Sequence, residues 1–389
     1  MPEEREHQEQ PRHQPRDATD VRDLLREAAA SHRTPFRISA GGSWLDAGRR
    51  VAPCAVLDVS ALRGIVEYNP GDLTLTAGSG TTLADIDSAT AEHGQWLPLD
   101  PFGDGRATLG ATLATASSGP LAASAGLPRD LALGVEFVDG TGTTVRGGGR
   151  VVKNVAGFDL VRLLVGSWGS LGVITEATVR LRARPECDAT FALAAPAGAE
   201  PLAQLLRAIR DAPLAPLSAE LLDHRLARRL NGGDRALVLV RLAGNADSVA
   251  AQCSTLESLG DVISIDTSVW TRLRASDPDG AWTLRVSRRP SALAGLWQTA
   301  ASISAPLDTA GLHATIERGI VRLIAEAPHA PALATITAAL VTEGIVVGER
   351  LPAECWTVLA APVDRLSLGV RSAFDRYALL NPGIMGGVA

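Results

Sequence analysis

Three stretches of this sequence have residue types and spacing that could do chemistry. Arg37-Ile-Ser-Ala-Gly-Gly-Ser-Trp44 ends a predicted strand in paired glycines and a serine. Successive backbone N–H groups and a hydroxyl are then available to an anion such as a pyrophosphate, although an ordinary glycine turn accounts for the same letters. Gly78-Ser-Gly-Thr-Thr-Leu83 follows a strand and opens a helix, as a dinucleotide-binding turn would. Leu83 stands where the third glycine is required, and no acid ends a following strand at the ribose-binding distance, so a nicotinamide site is not expected. The third stretch, 149–175, spaces Gly166, Gly169 and Gly172 three apart around Ser167, Trp168 and Ser170. That density defeats a helix and suits backbone packed against something flat.

The third stretch also holds Lys153, the single lysine beside 36 arginines. Coding bias explains most of the imbalance, since either cation solvates a surface. A lone lysine can mark a place where a compact ammonium is needed and a planar guanidinium does not substitute. Glycine is uneven too. Of 38 glycines, 23 lie from Gly41 to Gly172 and none before, which places tight turns and close backbone approach in the first half.

Other chemistries find little support. Cys54, Cys187, Cys253 and Cys355 are far apart, and the seven histidines show no H-E-x-x-H or H-x-H spacing, so no metal site is expected. P-loop and nucleophile-elbow motifs are missing. A net charge of −6 argues against a nucleic-acid surface. No apolar run reaches the ~18 residues of a membrane span, and the polar opening does not read as a leader. A soluble, cytoplasmic protein is the expectation.

Elements must hold these stretches in place. Residues 1–20 carry three prolines, six acids and no branched aliphatic or aromatic residue, which predicts a disordered tail. An amphipathic helix follows at 21–32, then strands in FRISA, CAVLDVS, RGIVEY and DLTLTAG. TTLADIDSATAEHG reads as a helix capped by Thr81 or Thr82 and stopped by Gly94. TLGATLATASSG is a further helix start, LALGVEFVDGTGTTVRG a hairpin turning at 139–142, and FDLVRLLVG helical. LGVITEATVRLRARP is a long alternating strand ended by Pro185. From about 189 strand and helix alternate in two similar cycles, predicting an α+β region with helices on one face of a sheet and a hint of an internal repeat. The end, DRLSLGVRSAFDRYALLNPG, reads as a helix stopped at Asn381-Pro382-Gly383.

RVVKNVAGFDLVRLLVGSWGSLGVITEATVRLRARPE resembles the FAD-binding PCMH-type flavoproteins of the vanillyl-alcohol-oxidase superfamily. Within them it is most similar to the smaller FAD-binding subunits of bacterial glycolate oxidases. The resemblance covers about residues 30–186 and, weakly, the closing LLNPG. It implies an α+β fold, a two-lobed PCMH-type FAD-binding domain with an α+β cap domain: tail 1–20, FAD-binding domain 21–188, cap 189–365, and a returning segment 366–389. The implied cofactor-binding residues are Ser39, Ala40, Gly41, Gly42 and Ser43; Pro101, Thr108, Leu109, Gly110 and Ala111; Ser117, Ser118 and Gly119; and Gly172, Val173 and Ile174, and Lys153 joins them as a candidate on its place as the lone lysine. Members with tethered flavin place His just after the paired glycines or Cys in the second loop. Here Ser43 stands at the first place and no Cys lies between Cys54 and Cys187, so the FAD is expected to be non-covalent.

The resemblance implies oxidation of glycolate or a similar 2-hydroxy acid, with electrons passed to a partner. The implied partners are a larger FAD-binding subunit and an iron–sulfur subunit, through which the chain could be held at a membrane. The relatives' histidine-rich cap motif is absent. His313, in GLHATIERG, is the nearest candidate for a catalytic group, and a structural histidine is the blander alternative. Two rivals stay open: a self-sufficient FAD oxidase of another small alcohol or hydroxy acid, and a non-catalytic flavin-binding subunit.

Overall fold

The computed structural model describes residues 11–31, 34–149, 158–307, 311–326, 330–359 and 364–386. Strands Arg12–His13, Ala55–Asp58 and Phe36–Ser39 form a parallel sheet with Ala55–Asp58 in the middle. Helix Ala18–Ala30 covers it, burying Val21 and Leu25 against Phe36 and Leu57; each fully buried leucine contributes about 2 kcal/mol.

An antiparallel sheet of five strands lies beside it, in the order Ile65–Asn69, Thr74–Gly78, Val173–Arg180, Ala132–Val138, Thr144–Gly148. Neighbouring residues on a strand face opposite sides, and this joins the two sheets. Val138 and Val173 pack with Leu57 and Phe36, whereas Phe137 and Ile174 pack with Leu109, Leu113 and Leu164.

The second half is built on one eight-stranded sheet. Its order is Val262–Ile265, Cys187–Ala194, Leu237–Gly244, Ser218–Leu222, Gly311–Thr315, Ile320–Ala325, Trp282–Ser287, Ile345–Arg350. Numbered along the chain, each set of four strands has the same order, 4-1-3-2 and its mirror image. The two sets meet edge to edge where Ser218–Leu222 pairs with Gly311–Thr315. The hint of a repeat in the sequence corresponds to this pair of βαββαβ units. Helices Ala199–Asp211, Ala246–Glu257, Leu293–Ser304 and Ala330–Glu343 cover one face through Leu206, Leu256, Leu296 and Leu340. The expectation of helices on a single face needs amending, because the short helices His224–Arg229 and Val269–Arg274 bury Leu226 and Trp270 in a separate cluster with Leu222 and Ile324.

Two further expectations are corrected. The predicted disordered tail does not extend to residue 20. Arg12–His13 pairs with Val56–Leu57, Arg12 Nη1 donates to Asp58 Oδ2 at 3.2 Å, and Asp17 caps the helix that starts at Ala18. Main-chain pairing and a polar cap need no apolar side chain, so composition concealed both. Residues 1–10 lie outside the described residues. The last helix is Arg365–Phe374 and stops well before Asn381. Asp375 ends it by accepting from the N–H groups of Leu379 and Leu380 at 2.9 and 2.8 Å. The released chain then bonds Phe36 N–H to Leu379 O at 2.7 Å.

Candidate functional site

The strand Phe36–Ser39 ends where the paired glycines begin, and the chain turns there for steric reasons. A Cβ on Gly41 would run into the carbonyl of Arg106, and Gly42 sits at φ +78°, a conformation that favours glycine. The loop therefore lies flat against the segment 106–108. Opposite it, Gly110 of the helix Leu109–Thr115 packs on Ser79, donating its N–H to Ser79 O at 2.8 Å.

A cleft runs between these elements. One wall carries Ser39, Ala40, Gly42 and Ser43, the other Ser79, Gly110 and Ala111, with Gly172 and Ile174 beneath. Trp44 and Trp168 meet edge to face at 6.1 Å and border a second chamber. That chamber is lined by Thr115, Ser117 and Ser118 on one side and by Arg285, Gly348 and Glu349 of the eight-stranded sheet on the other.

Buried polar atoms test whether such a cleft suits FAD. The hydroxyls of Ser79, Ser117 and Ser118 are buried without a hydrogen-bond partner, and all three residues line the cleft. Each unpaired group costs about 1–3 kcal/mol, a cost that a bound phosphate or sugar would remove. Small side chains and successive loop N–H groups allow a diphosphate to approach closely. The donor set and the two-chamber shape fit FAD.

The predicted residues divide. Ser39, Ala40, Gly42, Ser43, Gly110, Ala111, Gly172 and Ile174 line the first chamber, and Ser117 and Ser118 the second. Gly41, Thr108, Leu109 and Gly119 support the walls from behind. Thr108 Oγ1 caps the helix at Ala111 N–H, 3.4 Å; Leu109 is wholly buried; Gly119 N–H donates to Asp100 Oδ1 at 3.1 Å. Pro101 lines a different cavity, near Trp270 and Arg274, and Val173 points into the core behind the cleft. Lys153 lies outside the described residues. Gly172 is required for a reason internal to the protein, since a Cβ there would meet the Phe137 ring and Val138 O.

Four contributors went unrecognised in the sequence. Ser79 was in view within Gly78–Leu83, but as part of a turn set aside. Trp44 and Trp168 border both chambers, and Trp168 adopts φ +55°. Asn381 holds the arrangement from the far end of the chain, accepting from Ile38 N–H at 2.9 Å and donating to Trp168 O at 2.7 Å.

Charge is concentrated where the eight-stranded sheet meets the cleft. Arg322 is buried between Asp277 and Glu349, with contacts of 2.6 to 2.7 Å. Burial opposes the charge of Asp277, but the guanidiniums of Arg322 and Arg350 outweigh it and hold the carboxyl below its usual range. Asp100 is different. Burial pushes its carboxyl up to about 7, against the N–H groups of Leu121 and Gly119. His313 Nδ1 lies 2.8 Å from Glu220 Oε2, and its Nε2 is buried without a partner. The ring packs on Phe102 at 5.4 Å and lines neither chamber.

This fold and cleft define a class: a glycine- and serine-lined groove in the first half of the molecule, adjoining a charged chamber that the eight-stranded sheet closes. Residues 12–148 match the family model described as an FAD binding domain. This match identifies an FAD-binding domain of PCMH type in the first part of the chain. The chain is 38% identical over 229 residues to glycolate oxidase subunit GlcE of Escherichia coli, covering 58% of this chain and 63% of that protein. It is 30% identical over 294 residues to glycolate oxidase subunit GlcD of Bacillus subtilis, covering 72% and 60%. The chain thus spans about three fifths of the length of these relatives. The solved structure of p-cresol methylhydroxylase with substrate bound has the same fold, with a TM-score of 0.75 at 13% identity, over 96% of this chain and 88% of that one.

Proposed function

We propose that the chain holds one FAD non-covalently along the cleft and serves as a subunit of an enzyme complex that oxidises glycolate or a similar small 2-hydroxy acid. The unpaired hydroxyls of Ser79, Ser117 and Ser118 in two adjoining chambers carry the cofactor reading. In this reading Ser39, Ala40, Gly42, Ser43, Gly110 and Ala111 line the path of the diphosphate, and Gly172 and Ile174 lie under the nucleotide. The bound flavin would supply a two-electron acceptor. Arg285 lines the second chamber with Glu349 Oε1 at 2.8 Å, and is the cation that would face a substrate carboxylate. We place the boundary between the FAD-binding part and the cap near residue 188, with residues from 366 returning to the FAD-binding part.

Similarity to glycolate oxidase subunits supports a complex with a larger FAD-binding subunit and an iron–sulfur subunit. No helix among the described residues is long and apolar enough to cross a membrane, and we propose a cytoplasmic location, with any membrane association made through partners. A second reading is a flavin-holding subunit without turnover of its own. It is favoured by His313, whose ring faces Glu220 and Phe102 and lines neither chamber; we assign His313 to holding the sheet.

Anaerobic addition of glycolate to the purified chain, alone and mixed with its co-purified partners, tests the proposal. Bleaching of the flavin, or dye reduction only in the mixture, is expected. A solitary chain that turns over fully contradicts the subunit reading. A complete mixture that leaves glycolate untouched contradicts the substrate.

A further inference from the structure

The loop that forms the first wall of the cleft is fastened to the other half of the molecule. Arg350, at the end of strand Ile345–Arg350, is 8% exposed. Its Nη2 donates to Ser43 O at 2.9 Å, its Nε meets Asp46 Oδ2 at 2.9 Å, and its Nη1 meets Asp277 Oδ2 at 3.2 Å. Its guanidinium carbon lies 4.7 Å from the centre of the Trp44 ring. The same strand accepts Gly48 N–H at Glu349 O, 2.7 Å, and Arg49 Nη2 donates to Leu359 O at 2.7 Å.

We propose that Arg350 is a positioning residue for the flavin, gripping Ser43 and Asp46 so that the shape of the cradle loop depends on docking of the eight-stranded sheet. The inference rests on the flavin reading above. Two of its three hydrogen-bond acceptors belong to the loop, and one is the carbonyl of a residue lining the cleft. The third, Asp277, is anchored by Arg322, so Arg350 transmits the position of a rigid buried pair. The stacked Trp44 in turn meets Trp168 between the chambers. A planar fork reaches three acceptors at once, which a lysine ammonium does not reproduce. Linkage is reciprocal: if docking shapes the cradle, FAD must favour docking equally.

Full-length apo-chain is titrated with FAD for the wild type, Arg350→Gln, Arg350→Lys, Asp46→Asn and, as a control, Arg229→Gln. Arg229 pairs with Glu326 at 3.0 Å within the eight-stranded half. Arg350→Gln is expected to raise the Kd for FAD about tenfold or more, the range set by losing a charged hydrogen bond. Arg350→Lys and Asp46→Asn should give smaller increases and Arg229→Gln none. Visible circular dichroism of the bound flavin should change in Arg350→Gln, and amide exchange over 43–48 should quicken while 237–244 stays protected. An unchanged Kd and dichroism in Arg350→Gln overturn the proposal. So does a loss of affinity that only follows the apo-protein Tm, with Arg229→Gln weakened equally. A wild type that takes up no FAD overturns the flavin reading and the clamp with it.

Discussion

The glycine-rich cleft and the ion-pair cluster around Arg322 both bury polar atoms, and they treat them in opposite ways. Along the cleft, the hydroxyls of Ser79, Ser117 and Ser118 are left without partners. In the cluster, Arg322, Asp277, Glu349 and Arg350 satisfy one another at 2.6 to 3.2 Å. An unpaired buried group costs free energy that a ligand or a bound water restores; a paired one already contributes to the fold. The cleft is therefore built for something that enters it, and the charge cluster for holding the walls around it. His313 stands between the cases, with Nδ1 paired to Glu220 and Nε2 unpaired.

The contrast can be broken from the paired side with the largest effect. Arg322→Met leaves Asp277 with Arg350 alone and Glu349 with Arg285 alone, and should cost about 3 kcal/mol of stability, measured by denaturant unfolding of the apo-chain. A loss below about 1 kcal/mol would mean the cluster is better solvated than its burial indicates. Gly172→Val, at the floor of the cleft, should cost about 3 kcal/mol because its Cβ would strike Phe137. The loss must appear without FAD; a normal apo-protein Tm would return the constraint to the ligand.

Asp100 sharpens the comparison through pH. Its folded-state pKa, about 7, lies above the ordinary carboxyl value near ~4, so the folded state binds more protons in between. Stability from this group is greatest at low pH and falls as pH rises from about 4 to 7. Wild type should lose about 2 kcal/mol more than Asp100→Asn between pH 5 and 7. Parallel pH profiles would mean the carboxyl titrates normally. The smallest effect on folding belongs to Ser79→Ala. Removing an unpaired hydroxyl should leave the apo-protein Tm almost unchanged while weakening FAD by about 1 kcal/mol, or several-fold. An equal loss of apo stability would show that Ser79 is paired within the protein after all.

The glycine pattern made the cleft legible, because tight turns and close approach restrict residue choice locally. Gly42 at φ +78° and Gly41 against Arg106 are local demands of this kind. The strands and most helices were legible from alternation and caps such as Thr82 and Thr108. What lay hidden depended on distant chain. Asn381 reaches Ile38 across 343 positions, and nothing local to Arg322 and Arg350 sets them apart from the other arginines until the sheet brings Asp277 and Glu349 to them. The early strand Arg12–His13 was invisible because main-chain pairing leaves no signature in side chains.

The central claim is that the cleft holds FAD. Titrating the purified full-length chain with FAD, and following protein fluorescence and flavin absorbance, tests it most directly. The account predicts saturation at one FAD per chain and complete release of the flavin into the supernatant on acid precipitation. A folded chain that is colourless as isolated and binds no added FAD would contradict it.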